Sequence, residues 1–301
     1  MKCGSLTSTN YTKGCVIMKD KKNKTKLLAA ITAGAAVIAV AGGAMRAVKV
    51  SERKNALNIM AGLADQRVQM IERFIADEKK TLTEYADAPE LRKMLADQKD
   101  SKAYEAAQTF TERYAEQIDD LECIYASEPS TLVRVHNDKK FVGMITRTNP
   151  DSVNELMQAM QDAEDGIYDA GIIRSPASRI PIVSLYKGIS DDNDNNIGFA
   201  GLAIIADSLF RNDIPSLKGI ECASYSIIRA DLHNYLCKGD SVISDWEVKN
   251  DSILSLCSEL SGTDAPAKGN IAYKDESDRY IAAYSYMPAY SILVMAEGKI
   301  K

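Results

Sequence analysis

Histidine is nearly absent from this sequence: His136 and His233 are the only two in 301 residues. Catalysis built on imidazole, and metal centres that depend on it, have almost nothing to draw on. The six cysteines are too few to serve as a disulfide scaffold in a chain of this size. Cys123, Cys222, Cys237 and Cys257 share no CxxC or Cys/His spacing, which argues against a zinc site. No GxSxG, HExxH, P-loop or GxGxxG run occurs. An enzyme is therefore not expected, and no catalytic residue, cofactor or metal is assigned. Basic blocks are missing beyond the extreme N-terminus and the net charge is -5, so nucleic acid is not expected as a partner.

What remains is a balanced composition, 46% hydrophobic and 26% charged, that suits a folded protein of one large domain or two smaller ones. Its one long apolar run is residues 27–45, LLAAITAGAAVIAVAGGAM, without a charge and preceded by KDKKNKTK. That length suffices for a bilayer, where about 20 apolar residues are needed. The lysines place residues 1–26 in the cytoplasm as a tail and residues 46–301 outside the cell. A cleaved signal peptide is the alternative, with Ala39-Val40-Ala41 as a small-x-small site. Either reading makes the membrane a partner at some stage and leaves residues 46–301 extracytoplasmic.

Between residues 46 and 85 there is no proline and one glycine, Gly62. Leu57, Met60, Ala64, Ile71 and Phe74 recur at helical steps, with Ile59, Leu63 and Met70 widening the stripe. The pattern predicts a helix of about 60 Å at 1.5 Å per residue. A helix of that length reads as a spine (residues 46–119), packed by its own domains and by a second copy. Ala88-Pro89 interrupts it, and a further helix is predicted over 101–119.

Short strands follow at 121–127 and 131–137, then a helix at 152–165 and strands at 168–174, 182–189 and 197–205. This order, two strands, a helix and a three-strand antiparallel meander, is that of a PAS-like α+β module. It recurs after a linking helix predicted at 208–217: strands at 222–229 and 232–237, a helix at 252–260, and strands at 270–274, 279–287 and 291–296. The modules span residues 120–206 and 207–301. Cys222 and Cys237 fall opposite each other if a hairpin turns near Ala230, as a disulfide or as two buried thiols.

The runs VRVHNDKKFVGMITR (133–147), GIYDAGIIRSPASRIPIVSLYKGI (166–189), DNNIGFAGLAI (194–204), ASYSIIRADLHNYL (223–236) and DRYIAAYSYMPAYSILV (278–294) resemble the double Cache sensor regions of bacterial chemotaxis receptors and related transmembrane signalling proteins. The resemblance implies a long N-terminal helix, a membrane-distal module that binds a small molecule, and a smaller membrane-proximal one. The chain departs from the family in two ways. It stops at Lys301 without a second membrane helix, HAMP linker or output domain, which implies a separate signalling partner; a solute-binding protein without signalling and a truncated chemoreceptor are the alternatives. Family members that bind amino acids carry an Arg-x-Trp-Tyr run, a later Tyr and an Asp on the fifth strand. Tyr186 matches the later Tyr, but the acid's place falls near Ala203, and the only tryptophan, Trp246, lies in the other module.

The ligand-binding candidates are Tyr168, Arg174, Ser184 and Tyr186 on the distal meander, with Arg147 nearby. A pocket needs a few fixed donors in a mostly apolar cleft, and an arginine can grip a carboxylate bidentately. His136 is expected to cap its turn. The run Asp191-Asp192-Asn193-Asp194-Asn195-Asn196 lacks the glycine and glutamate of a calcium loop and reads as a hairpin turn.

Overall fold

A computed structural model describes the backbone of residues 13–97, 99–176, 178–239 and 247–300, with side chains from Ala47 onward. Residues 1–12, the side chains of residues 27–45 and Trp246 lie outside it. Among the described residues no helix is long and apolar enough to cross a membrane. By contacts the chain divides into Met1–Asn55 and Ala56–Lys301. In the first unit the described side chains of residues 47–55 are exposed or half-buried. The second holds all the remaining structure.

Helix α1 spans Lys13–Ala86. In the second unit its inward stripe is Ala56, Met60, Ala64, Val68, Ile71, Ile75, Leu82 and Tyr85, all buried. Ile59 and Met70, expected to extend that stripe, are instead exposed. Pro89 ends the helix: Ala88 takes an extended ψ of 131° and α2, Pro89–Ala96, begins with proline at its first turn. In α3, Ser101–Ala115, Asp100 caps the backbone amides of Lys102 and Ala103. The helical region therefore comprises three helices, with the interruption at Ala88-Pro89 and with the short α2 added before the helix that starts at Ser101.

Two five-stranded antiparallel sheets follow. The first, in the module expected to be distal and called so below, uses β1 (Leu121–Ser127), β2 (Val133–His136), β3 (Ile167–Arg174), β4 (Pro181–Ser190) and β5 (Asn196–Ile205), in the order β2-β1-β5-β4-β3. The proximal one uses β6 (Ile220–Arg229), β7 (Asn234–Lys238), β8 (Ala267–Asp275), β9 (Asp278–Met287) and β10 (Ile292–Ile300), in the order β7-β6-β10-β9-β8. The two orders are the same, so the faint sequence repeat is a structural one. α4 (Pro150–Asp162) and α5 (Asp251–Leu260) occupy equivalent places between the second and third strands of each sheet.

Strand alternation gives each sheet two buried faces. In the distal sheet Ile124, Ala126, Val183, Leu185, Leu202 and Ile204 join the core with α1 and α2. Tyr125, Val133 and Phe199 face the other way, against Leu156 and Met160 of α4. α1 serves both modules: Lys79 pairs with Asp165 and Asp169 of the distal one, and Asp65 with Lys268 of the proximal one.

The linker between modules departs from expectation. In place of a helix at 208–217 there is one 3-10 turn, Asp207–Phe210, followed by residues without regular secondary structure. Pro215 disfavours helix at Ile214 and supplies no amide. Arg67 of α1, 2% exposed, holds this segment by donating to the carbonyls of Leu209 (2.7 Å) and Arg211 (3.1 Å) and to Asp213. Its guanidinium lies 4.3 Å from the Tyr225 ring centroid. The Cys222–Cys237 register is also different. Cys237 pairs across the ladder with Ile227 and is buried, whereas Cys222 is exposed with φ +48°, and both are free thiols.

Candidate functional site

On the α4-covered face of the distal sheet, one transverse row of residues crosses all five strands. His136 on β2 pairs with Tyr125 on β1, Tyr125 with Gly201 on β5, Gly201 with Tyr186 on β4, and Tyr186 with Tyr168 on β3. Paired residues on antiparallel strands point to one face, so four rings flank a central glycine. Tyr125 stacks on His136 (centroids 5.8 Å apart, 13°) and Tyr168 on Tyr186 (5.9 Å, 20°). Gly201 is required here: a Cβ at that position would stand 2.5 Å from ring atoms of Tyr125. Phe199, two residues earlier on β5, meets both Tyr125 and Tyr186 edge-on or tilted at 6.2 and 6.3 Å.

The next row on the same face is Cys123, Ala203 and Ser184. Ser184 donates to the Tyr186 hydroxyl at 3.2 Å. No member of this row is acidic, because the middle strand carries Ala203. Burial lifts the Cys123 thiol to about 12 and holds the Tyr125 phenol well above its usual range, so both are neutral.

Arg147 reaches this face from the loop that leads into α4. Thr131 fixes its backbone on both sides: the Thr131 hydroxyl donates to the Arg147 carbonyl and accepts from its amide. The guanidinium lies 5.5 Å from the Tyr186 ring centroid and donates to Ser152 at 3.1 Å. Outside it is a shallow hollow of about 410 Å³ lined by Ser130, Ile145, Arg147, Thr148, Pro150, Val153 and Asn154.

The structure therefore brings together Tyr168, Ser184, Tyr186 and Arg147, four of the five residues singled out from sequence. Arg174 stands elsewhere. At the end of β3 it donates to the carbonyl of Arg179 (3.0 Å) and, across the module boundary, to that of Tyr235 on β7 (3.3 Å). Tyr125 and Phe199 were not singled out, and their inward position in β1 and β5 was the signal available. His136 caps its turn, Nδ1 accepting from the Asp138 amide at 2.8 Å, and burial lowers its pKa to about 4. The 191–196 run is a hairpin turn in which Asp191 Oδ1 accepts from the amides of Asn193 and Asn195. Among the described residues no group of three or more His, Cys, Asp or Glu is placed to hold a metal ion.

No family model matches the sequence, and no curated protein matches it. Solved structures do share the architecture. The sensory domain of the Campylobacter jejuni chemoreceptor Tlp3 (CcmL) with isoleucine bound is 13% identical, with a TM-score of 0.58, over 83% of this chain and 95% of that one. The ligand-binding domain of Mlp24 with asparagine is 14% identical, with a TM-score of 0.50, over 84% and 95%. The extracellular domain of the histidine kinase vpHK1S-Z8 is 13% identical, with a TM-score of 0.52, over 83% and 92%. With two α/β modules of identical strand order built on one long helix, this chain has the double Cache fold of those sensory and extracellular domains.

Proposed function

We propose that this chain is an extracytoplasmic sensing module whose distal site binds a small molecule bearing a carboxylate. The observation that carries this is the convergence of the Arg147 guanidinium with the aromatic row beneath α4. Arg147 grips the carboxylate, the Tyr125, Tyr186 and Phe199 rings take the apolar part, and the Ser184 and Tyr186 hydroxyls supply polar contacts. The fold relatives with isoleucine and asparagine bound support a ligand of amino-acid size. Cys123, Ala203 and Ser184 present no carboxylate to an ammonium group, so an organic acid suits the site better than an α-amino acid.

Residues 27–45 anchor the chain in the membrane, and residues 46–301 project outward. Ligand binds one arrangement of the distal module better than another, and α1 carries that preference towards the membrane. A second copy packs along the exposed face of α1 that bears Ile59 and Met70. A thermal-shift screen of organic acids, amino acids and amines tests the reading. At least one carboxylate is expected to raise Tm in the wild type and not in Tyr186→Ala. Failure of every carboxylate, or an equal rise in the variant, contradicts it.

A further inference from the structure

The proximal module repeats the distal one strand for strand, and its α5-covered face holds polar groups that the reading above leaves unused. On central strand β10, Leu293, Met295 and Glu297 alternate onto that face. Glu297 is 3% exposed. Ser226 donates to its Oε1 and Tyr273 to its Oε2, each at 2.5 Å. Glu297 and Tyr273 line a cavity of about 450 Å³ together with Asn212, Lys238, Asp275 and Tyr280.

A carboxylate is a costly group to bury, and packing of the apolar strand ILVMAEGKI does not call for one. The two hydroxyl donors occupy one lone pair on each oxygen, whereas a carboxylate offers about four acceptor sites. Asn212 adds an independent observation. Its Nδ2 donates to the Ala223 carbonyl, while its Oδ1 is buried without a hydrogen-bond partner. A buried acceptor in that state is unusual in a folded protein and calls for a donor. The charges agree: two carboxylates, Glu297 and Asp275, face one ammonium, Lys238, which pairs with Asp275 at 3.5 Å.

We propose that the proximal module is a second ligand site, which takes a small molecule through a primary ammonium group donating to Glu297 and Asn212. Its specificity is thus opposite in charge to that of the distal site. Burial raises the Glu297 carboxyl above its ordinary range, against the hydrogen bonds from Ser226 and Tyr273 and the charge of Lys238, which lower it, while Asp275 raises it. An ammonium group beside Glu297 favours its ionised form, as Lys238 does.

Calorimetric titration of the full chain with ethanolamine and propylamine tests this. Acetate and propanol are the controls. The amines are expected to bind, and the controls not to bind. Glu297→Gln should weaken amine binding at least tenfold, and Asp275→Asn, which alters a half-exposed residue and leaves the core intact, severalfold. Tyr186→Ala should leave amine binding unchanged, which separates this site from the distal one. Absence of amine binding overturns the proposal, as does equal binding of acetate, loss of amine binding in Tyr186→Ala, or undiminished binding in both proximal variants.

Discussion

The Tyr290 hydroxyl, in the β9–β10 turn of the proximal sheet, donates a 2.6 Å hydrogen bond to Oδ2 of Asp169 in the distal strand β3. Asp169 follows Tyr168, one of the four rings of the distal row, and also pairs with Lys79 of α1 at 3.5 Å. A bulge follows Asp169, and Gly171 at φ +71° lets the Tyr290 ring come within 3.2 Å of where a Cβ would stand. Site, spine and proximal module therefore meet at one carboxylate. Tyr290→Phe should cost about 2 kcal/mol by removing a charge-assisted hydrogen bond, read by urea unfolding. It should leave ligand-induced stabilisation of the distal module intact, because no atom of the distal row changes.

Gly201→Ala should be worse than an ordinary strand substitution. The added methyl collides with Tyr125, and overpacking of this kind costs about 1–3 kcal/mol. The same change displaces the Tyr125 ring, so loss of stability and loss of ligand response should appear together. Stability by denaturant titration and ligand-induced Tm shift on one preparation check this.

Arg67→Met should destabilise the chain by about 3 kcal/mol, a value set by lost hydrogen bonds to buried carbonyls. It leaves the Leu209 and Arg211 carbonyls without their donor and removes the contact with Tyr225. Because that linker joins the modules, the unfolding transition should broaden or split as the modules lose cooperativity. Calorimetric scanning reads both effects.

Two groups, buried His136 and half-buried Glu78, make stability depend on pH in opposite directions. His136 titrates near 4 when folded and near 6.5 when free, so the unfolded chain binds the extra proton and stability falls as pH drops from about 6.5 to about 4. His136→Asn keeps an acceptor for the Asp138 amide without a titrating ring, and should flatten that fall. Glu78, raised to about 7 chiefly by burial, keeps its proton in the fold below that pH, and its contribution is lost as pH rises from about 4.5 to about 7. Glu78→Gln should remove that second slope. Urea midpoints at pH 4.5, 5.5, 6.5 and 7.5 separate the two.

Much of the architecture was legible because hydrophobic period and turn residues act locally. LECIYAS is β1 to the residue, and the two meanders fall within a few residues of their expected bounds. The distal row was not legible in full. Tyr168 and Tyr186 share a predicted hairpin, but Tyr125 joins them only through the β1–β5 pairing, which is long-range and fixes register through the three-dimensional packing. The same dependence on register misplaced Cys222 against Cys237. Arg174 was assigned to a pocket because it ends the same strand as Tyr168, yet the bulge at Asp169 and the module boundary turn it towards Tyr235. Pro215 already spoke against the linking helix, and Glu297, a lone acid in an apolar strand, was the unread signal of a second polar site.

Calorimetric titration of the chain and of Arg147→Ala, with a carboxylate that stabilises the wild type, tests the central claim most directly. Loss of a bidentate carboxylate grip predicts affinity at least tenfold weaker in the variant, about 1.4 kcal/mol. Equal affinity in the two proteins would remove Arg147 from the site and contradict the assignment of the distal face as a carboxylate receptor.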